Sequence, residues 1–338
     1  MAESRKLIPL FIVVMLFCLI FRSQWHQTEI VLPINEWIGE YHSMKSMYTV
    51  TRKKSQLNYD YAYPTDDFKF QNEERRVLEG FSNLFLLPSS NGTVLMATTE
   101  TNGSSLQYGR LNIIKMEYSL TNDYIKFLFG TTVRIVYGVS TINYNLDGIN
   151  VKFPANQRLF LKKWEDSEFI ECLGLKLSYD EPKTIPKNFV YYMTTFRDYF
   201  ESFGSRVFLF GGTLLGWYRE CSFIGDTTDV DFAMFIDELD PSVLVKFIKE
   251  SDIFKPYWIL GKINDSLQLT AYMQHRKVDL FFVYHSVKGY DWVGGIGRPE
   301  RQKIRWDYPP INKRLCTANL VGYIFHVPCN VAAILEEF

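Results

Sequence analysis

A chain of 338 residues that is 47% apolar and 22% charged can bury one large core or two smaller ones, which excludes a disordered polymer. Its 37 basic and 38 acidic residues leave a net charge of -1, so no whole-molecule field draws it to nucleic acid, and any affinity for anions has to be local. The 21 Tyr and 27 Phe favour sheet-rich structure, where aromatic rings pack on pleated faces.

The first element in chain order is Leu7 to Phe21, an apolar run free of charge, preceded by Arg5 and Lys6 and followed by Arg22. It reads as a membrane-targeting segment. Because it is shorter than the roughly 20 residues that span a bilayer comfortably, a cleavable signal peptide competes with an uncleaved anchor. The residues that follow, Arg22-Ser23-Gln24-Trp25-His26, lack the small pair that a signal peptidase needs, and Trp25 suits a membrane interface. We therefore expect residues 1–6 to be a cytoplasmic tail and 7–21 a transmembrane signal anchor of a single-pass type II protein. A short span suits the thinner bilayers of the Golgi or endoplasmic reticulum, with the rest of the chain lumenal. There Cys172, Cys221, Cys316 and Cys329 meet oxidising conditions; two disulfides are open to them in any of three pairings, while Cys18 lies in the membrane. Sequons at Asn91, Asn102 and Asn264 agree with a lumenal setting.

Residues 22–65 show no clear period and read as a stem. From 66 to 180, short runs rich in branched and aromatic residues recur between turn signals, at Thr93–Ala97, Leu111–Lys115, Thr132–Tyr137 and Gly148–Lys152. They predict a β-rich accessory domain. Pro182 and Pro186 punctuate the chain and open a second domain, 186–338. Phe189, Met193, Phe196 and Phe200 then recur at helical spacing, as in an amphipathic helix laid on a sheet.

The residues that carry chemistry come next. Val207–Phe210 reads as a buried strand, Gly211-Gly212-Thr213 as a turn, and Leu214–Glu220 as a helix. Paired glycines at such a place let backbone amides approach a phosphate, and the helix N-terminus adds partial positive charge. Asp229-Val230-Asp231 leads into Phe232–Ile236, a strand with two carboxylates at its start and, by alternation, on one face. Acids this close repel one another; bound Mg²⁺ or Mn²⁺ removes that cost by taking hard oxygen ligands, the bland alternative being solvated turn carboxylates. In Lys277–Val283 a single acid, Asp279, interrupts a buried-strand pattern, where an unpartnered carboxylate is costly. If the two strands are neighbours, all three acids share one site. Asp240-Pro241-Ser242 opens a connecting helix with an N-cap and a proline at its first position, and Trp258–Ile263 and Leu267–Met273 add strands. This order is the layout of the nucleotidyltransferase fold, an α/β (α+β) domain with a mixed sheet and helices.

Gly212-Thr-Leu-Leu-Gly-Trp-Tyr-Arg-Glu-Cys221, Asp229-Val-Asp231, Lys277-Val-Asp-Leu-Phe281 and His326-Val-Pro-Cys329 together resemble the fukutin family, with its fukutin-related and LicD-type phosphocholine transferase relatives. The resemblance covers about Pro186 to the C-terminus. It implies metal-dependent transfer of ribitol 5-phosphate, or a similar phospho-alditol, from a CDP conjugate such as CDP-ribitol to a glycoprotein glycan. Asp229, Asp231 and Asp279 would hold Mg²⁺ or Mn²⁺, with Asp279 also the candidate general base. Gly211, Gly212 and Thr213 would receive the diphosphate, and Arg219 would offer its fork of donors to phosphate oxygens, unless it only satisfies the helix dipole. A basic loop of Arg298, Arg301, Lys303 and Arg305, with Trp292 and Trp306 nearby, is a further candidate for phosphate or sugar. The family pattern differs at Ile224–Thr228, before the acid pair, where relatives carry Ile-Pro and often Trp-Asp, and relatives continue past Glu336–Phe338 into a further tail. A phosphocholine transferase acting on glycans, and a catalytically silent partner of a homologous Golgi transferase, are the rival expectations.

Overall fold

The structure, a computed structural model, describes residues 63–337 apart from 65–66, 91, 102–104, 120–121, 177–182, 251–252 and 297–302. The expected tail, anchor and nearly all of the stem lie outside the described residues, as do Cys18, Asn91, Asn102, Pro182, Arg298 and Arg301. Among the described residues no helix is long and apolar enough to cross a membrane. The described chain forms α-helices and two sheets, and it divides into two compact units.

One unit comprises the described residues of 63–202, 206–227 and 309–337. It opens with helix α1 (Asn72–Leu78) and strands β1 (Leu84–Leu87), β2 (Val94–Thr98), β3 (Ser105–Tyr108), β4 (Leu111–Tyr118), β5 (Tyr124–Phe129), β6 (Thr132–Tyr137), β7 (Thr141–Leu146) and β8 (Ile149–Pro154), then helix α2 (Gln157–Glu165). The strands make one sheet in the order β6-β5-β4-β2-β1-β8-β7, with β3 on β4. Alternation along β1 explains its wholly apolar sequence: Leu84 and Leu86 enter a core with Met96, Ile113 and Val151, while Phe85 and Leu87 enter another with Ala97, Ile114 and Phe127. Both faces are covered. Leu78 of α1 joins the first core, and Phe160 and Trp164 of α2, one turn apart, close the second. The two helices are additions to the strands expected from sequence. Their starts are legible in hindsight: Asn156 Oδ1 accepts from the Leu159 amide at 3.0 Å, and Glu74 reaches back to the Gln71 amide at 2.9 Å.

Helix α3 (Val190–Ser202) follows, burying Met193, Phe196 and Phe200 as their spacing predicts. Its stripe is not purely apolar, because Arg197 is 1% exposed. Burial is tolerated since Arg197 bonds Asp198 Oδ1 at 2.8 Å and the Ile324 carbonyl, and lies over the Tyr137 ring at 4.2 Å. Strand β9 (Val207–Leu209) and helix α4 (Gly211–Glu220) come next. Later in the chain β16 (Leu315–Leu320) and β17 (Tyr323–Pro328) form a hairpin whose second strand runs parallel to β9, and short helix α6 (Val331–Leu335) ends the unit. Cysteines resolve into Cys172–Cys221 and Cys316–Cys329 bridges.

The other unit comprises 203–205 and Thr228–Tyr308 among the described residues. Strand β10 (Asp229–Phe235) leads through helix α5 (Pro241–Glu250) to β11 (Lys255–Lys262), β12 (Asp265–Met273) and β13 (Arg276–His285). Asp240 Oδ1 accepts from the Ser242 amide at 3.0 Å and so caps α5. The helix buries Val243, Leu244 and Phe247, the last stacked on Phe254. Within the unit the strands order as β11-β12-β13-β10, with β10 and β13 parallel and the other two pairings antiparallel. Asn264 is exposed in the β11–β12 turn. Of the expected basic loop, the described Lys303 and Arg305 lie instead in strand β15 (Lys303–Tyr308), which pairs antiparallel with β14 (Asp291–Ile296); Arg305 lies over the Trp292 ring at 4.1 Å and Lys303 pairs with Asp265. Alternating apolar and charged residues there follow a strand period that the charge count hides.

Candidate active site

Parallel pairing of β10 with β13 sets Asp229 opposite Lys277 and Asp231 opposite Asp279. Because side chains alternate along each strand, these four positions two residues apart point to one face of the sheet. A carboxylate oxygen from each of Asp229, Asp231 and Asp279 lies within 4.8 Å of the other two. The first two are partly exposed, whereas Asp279 is only 4% exposed. The convergence depends on register: slipping either strand by one residue would send its acids to the opposite face.

Two further residues complete the cluster. Lys277 Nζ lies 2.9 Å from Asp229 Oδ2 and 2.8 Å from Asp279 Oδ2. Thr270, opposite Asp279 on β12, donates its hydroxyl to Asp279 Oδ1. Burial works against the Lys277 ammonium, yet the hydrogen bond and charge of Asp279, followed by those of Asp229, outweigh it and hold its pKa above the usual lysine range. Sequence reasoning missed both partners. Lys277 had a signal, since it stands two residues before Asp279 and therefore on the same strand face; Thr270 had none, because only the β12–β13 register brings it there.

The donor set fits a divalent cation of the Mg²⁺ or Mn²⁺ kind. Three carboxylates within one ion's reach are hard oxygen donors, and the seated ammonium shows that the cluster gathers positive charge. No ligating His or Cys is grouped with them among the described residues, which argues against a zinc-type site.

The other unit holds the remaining sequence-predicted residues. Helix α4 begins at Gly211, so the glycines form its first turn rather than a loop ahead of it. Gly211 has φ 51°, in the left-handed region that glycine enters without Cβ strain, and the chain thereby turns sharply out of β9. Gly211, Gly212 and Thr213 thus lie at the positive end of the helix dipole, with Thr213 buried. Arg219 stands eight positions beyond Gly211, about 12 Å along the axis at 1.5 Å per residue, and is not brought to that end. Its Nη2 instead bonds Glu220 Oε1 at 2.6 Å, and Lys183 Nζ meets Glu220 Oε2 at 2.9 Å. At this far end Cys221 has φ 54° and closes the helix through its amide to Trp217 O, while the Leu173 and Leu175 amides take the carbonyls of Tyr218 and Arg219. The Cys172–Cys221 bridge fastens that capping segment.

Comparison with known proteins finds a family domain over these elements. Residues 204–330 match the domain family described as "LicD/FKTN/FKRP, nucleotidyltransferase domain". An uncharacterised protein of Caenorhabditis elegans is 34% identical over 233 residues, covering 66% of this chain and 60% of that protein. The ribitol-5-phosphate transferase FKTN of Mus musculus is 28% identical over 207 residues, 56% of this chain and 43% of the relative. Its Homo sapiens counterpart is 25% identical over 253 residues, covering 72% and 54%. The chain spans about half the length of the curated relatives it matches. Residues 204–330 thus carry the nucleotidyltransferase domain of the LicD/FKTN/FKRP family, and the chain is similar to the fukutin proteins.

Proposed function

We propose that the chain is a metal-dependent phosphotransferase that moves ribitol 5-phosphate, or a similar phospho-alditol, from its CDP conjugate to a hydroxyl of a glycoprotein glycan in the Golgi or endoplasmic reticulum lumen. The observation that carries the reading is the convergence of Asp229, Asp231 and Asp279 on one sheet face within a LicD/FKTN/FKRP domain. The related FKTN proteins bear the name ribitol-5-phosphate transferase, which supports the choice of donor.

In this reading the acceptor oxygen attacks the phosphorus that bears the alditol, an O–P bond forms, the P–O bond to CMP breaks, and the hydroxyl proton passes to a carboxylate. Asp229 and Asp231, at the start of β10, hold the divalent cation with Asp279. When bound, Mg²⁺ or Mn²⁺ supplies neutralisation of the diphosphate and polarisation of the phosphorus under attack. Asp279 is also the candidate general base, its carboxylate fixed in direction by Thr270. Gly211, Gly212 and Thr213 receive phosphate at the α4 N-terminus. Arg219 serves phosphate only on leaving Glu220.

The test is CMP release by the purified full-length chain with Mn²⁺ and, separately, CDP-ribitol, CDP-glycerol or CDP-choline, with and without glycan acceptors. CDP-ribitol is expected to turn over fastest; preference for CDP-choline would replace the donor assignment. Asp231→Ala is expected to lower turnover at least about a hundredfold, the loss of a few kcal/mol of charge stabilisation, with an unchanged circular dichroism spectrum. A folded variant that works at the parent rate would remove the metal assignment.

A further inference from the structure

Lys277 places its ammonium against two of the three acids, Asp229 and Asp279, on the face where they converge. We propose that Lys277 is an internal counter-cation of this site, which a divalent ion must displace from Asp229 and Asp279 in order to enter. The inference rests on the metal-dependent reading above and deepens it by assigning the control of metal loading to a residue of the chain itself.

Charge makes the arrangement self-consistent. The Lys277 ammonium offsets part of the negative charge that Asp229 and Asp279 bring to the cluster, which eases the closeness of the acids. A dication and an ammonium drawn to the same carboxylate pair would stand within a few ångströms of each other, where like charges in a half-buried site repel strongly. One of them has to leave. The lysine is able to, because its side chain is 31% exposed and its four-carbon stem is flexible, whereas Asp279 is fixed by burial and by Thr270. A purely structural ion pair, joining β10 to β13 and staying in place when metal arrives, is the alternative. It makes the opposite prediction, since removing such a pair would loosen the acids and weaken metal binding.

Two measurements on the purified full-length chain separate the alternatives. Mn²⁺ titration, read by electron paramagnetic resonance of the free ion, should give about tenfold tighter binding for Lys277→Met than for the parent, with Lys277→Arg close to the parent because the positive charge is kept. Parent-like or weaker Mn²⁺ binding by a Lys277→Met variant with a parent-like melting curve overturns the proposal. The second measurement needs no variant: isotope-coded acetylation followed by mass spectrometry should show Lys277 modified several-fold faster once Mg²⁺ is added. Unchanged or slower acetylation likewise overturns it. Both readouts are independent of turnover, so a chain that released no CMP from any CDP donor would sink the transferase reading while leaving the exchange of cations to be judged on its own result.

Discussion

At the C-terminal end of α4, the Glu220 carboxylate takes hydrogen bonds from both Lys183 and Arg219. Burial alone would raise its pKa, but those bonds and the charges behind them hold it below the usual carboxylate range. A carboxyl with a depressed folded-state pKa stabilises the fold above its unfolded value of 4.5, and the contribution is lost as pH falls through the folded value. Glu220→Gln should therefore cost about 1 kcal/mol at pH 7, with the gap to the parent closing below about pH 4 in urea unfolding followed across pH. A different balance holds beneath α3. Tyr137 donates to Glu201, with Lys163 Nζ and His326 Nε2 each 3.8 Å from that carboxyl. Burial first raises the Glu201 pKa and first lowers those of Lys163 and His326, disfavouring charge on all three. Tyr137→Phe removes the hydrogen-bond donor and is expected to destabilise by about 1–3 kcal/mol in denaturant titration, the cost of a buried acceptor left short of a partner. None of this cluster was legible in sequence, because its members are scattered over a strand, two helices and a distant hairpin.

Among the elements, α4 is the one whose packing tolerates least. A Cβ at Gly216 would come within 2.8 Å of both the Ile224 amide nitrogen and the Ser222 carbonyl oxygen, backbone atoms that cannot swing aside. Gly216→Ala should thus destabilise by about 1–3 kcal/mol even though alanine favours helix, and the sign of the change in melting temperature checks it. Trp217 beside it is wholly buried, with its indole N–H on the Asn319 carbonyl at 3.1 Å. Sequence spacing was enough to find α3, α5 and β10 to β13, since their apolar periods are long and their caps are local. It was not enough for the β14–β15 hairpin, whose exposed strand β15 has no buried stripe to announce it. Nor did it give the first turn of α4 to the helix, because glycine is a poor helix former and reads as a turn.

On the scale of the whole molecule, the two bridges tie together parts of one unit that lie 49 and 13 residues apart. Replacing Cys172 and Cys221 by serine should lower stability by about 2–4 kcal/mol, and by more than the same change at Cys316 and Cys329, since the longer loop loses more chain entropy when closed. Urea unfolding of the two double variants would show the ordering. The sequence by itself determined the α/β class of the region that holds the acids, the resemblance to the fukutin family, and the identity of the three acids, because alternation and a carboxylate inside an apolar strand are local signals. Only the tertiary structure decided which cysteines pair and that Arg219 turns to Glu220. The parallel register that gathers the acids, with Lys277 set between two of them, was likewise fixed there. The bridges and the β10–β13 register join residues that lie apart in sequence, through strand pairing and burial that no short window of residues contains, whereas Arg219 and Glu220 are neighbours whose side chains only the fold turns together.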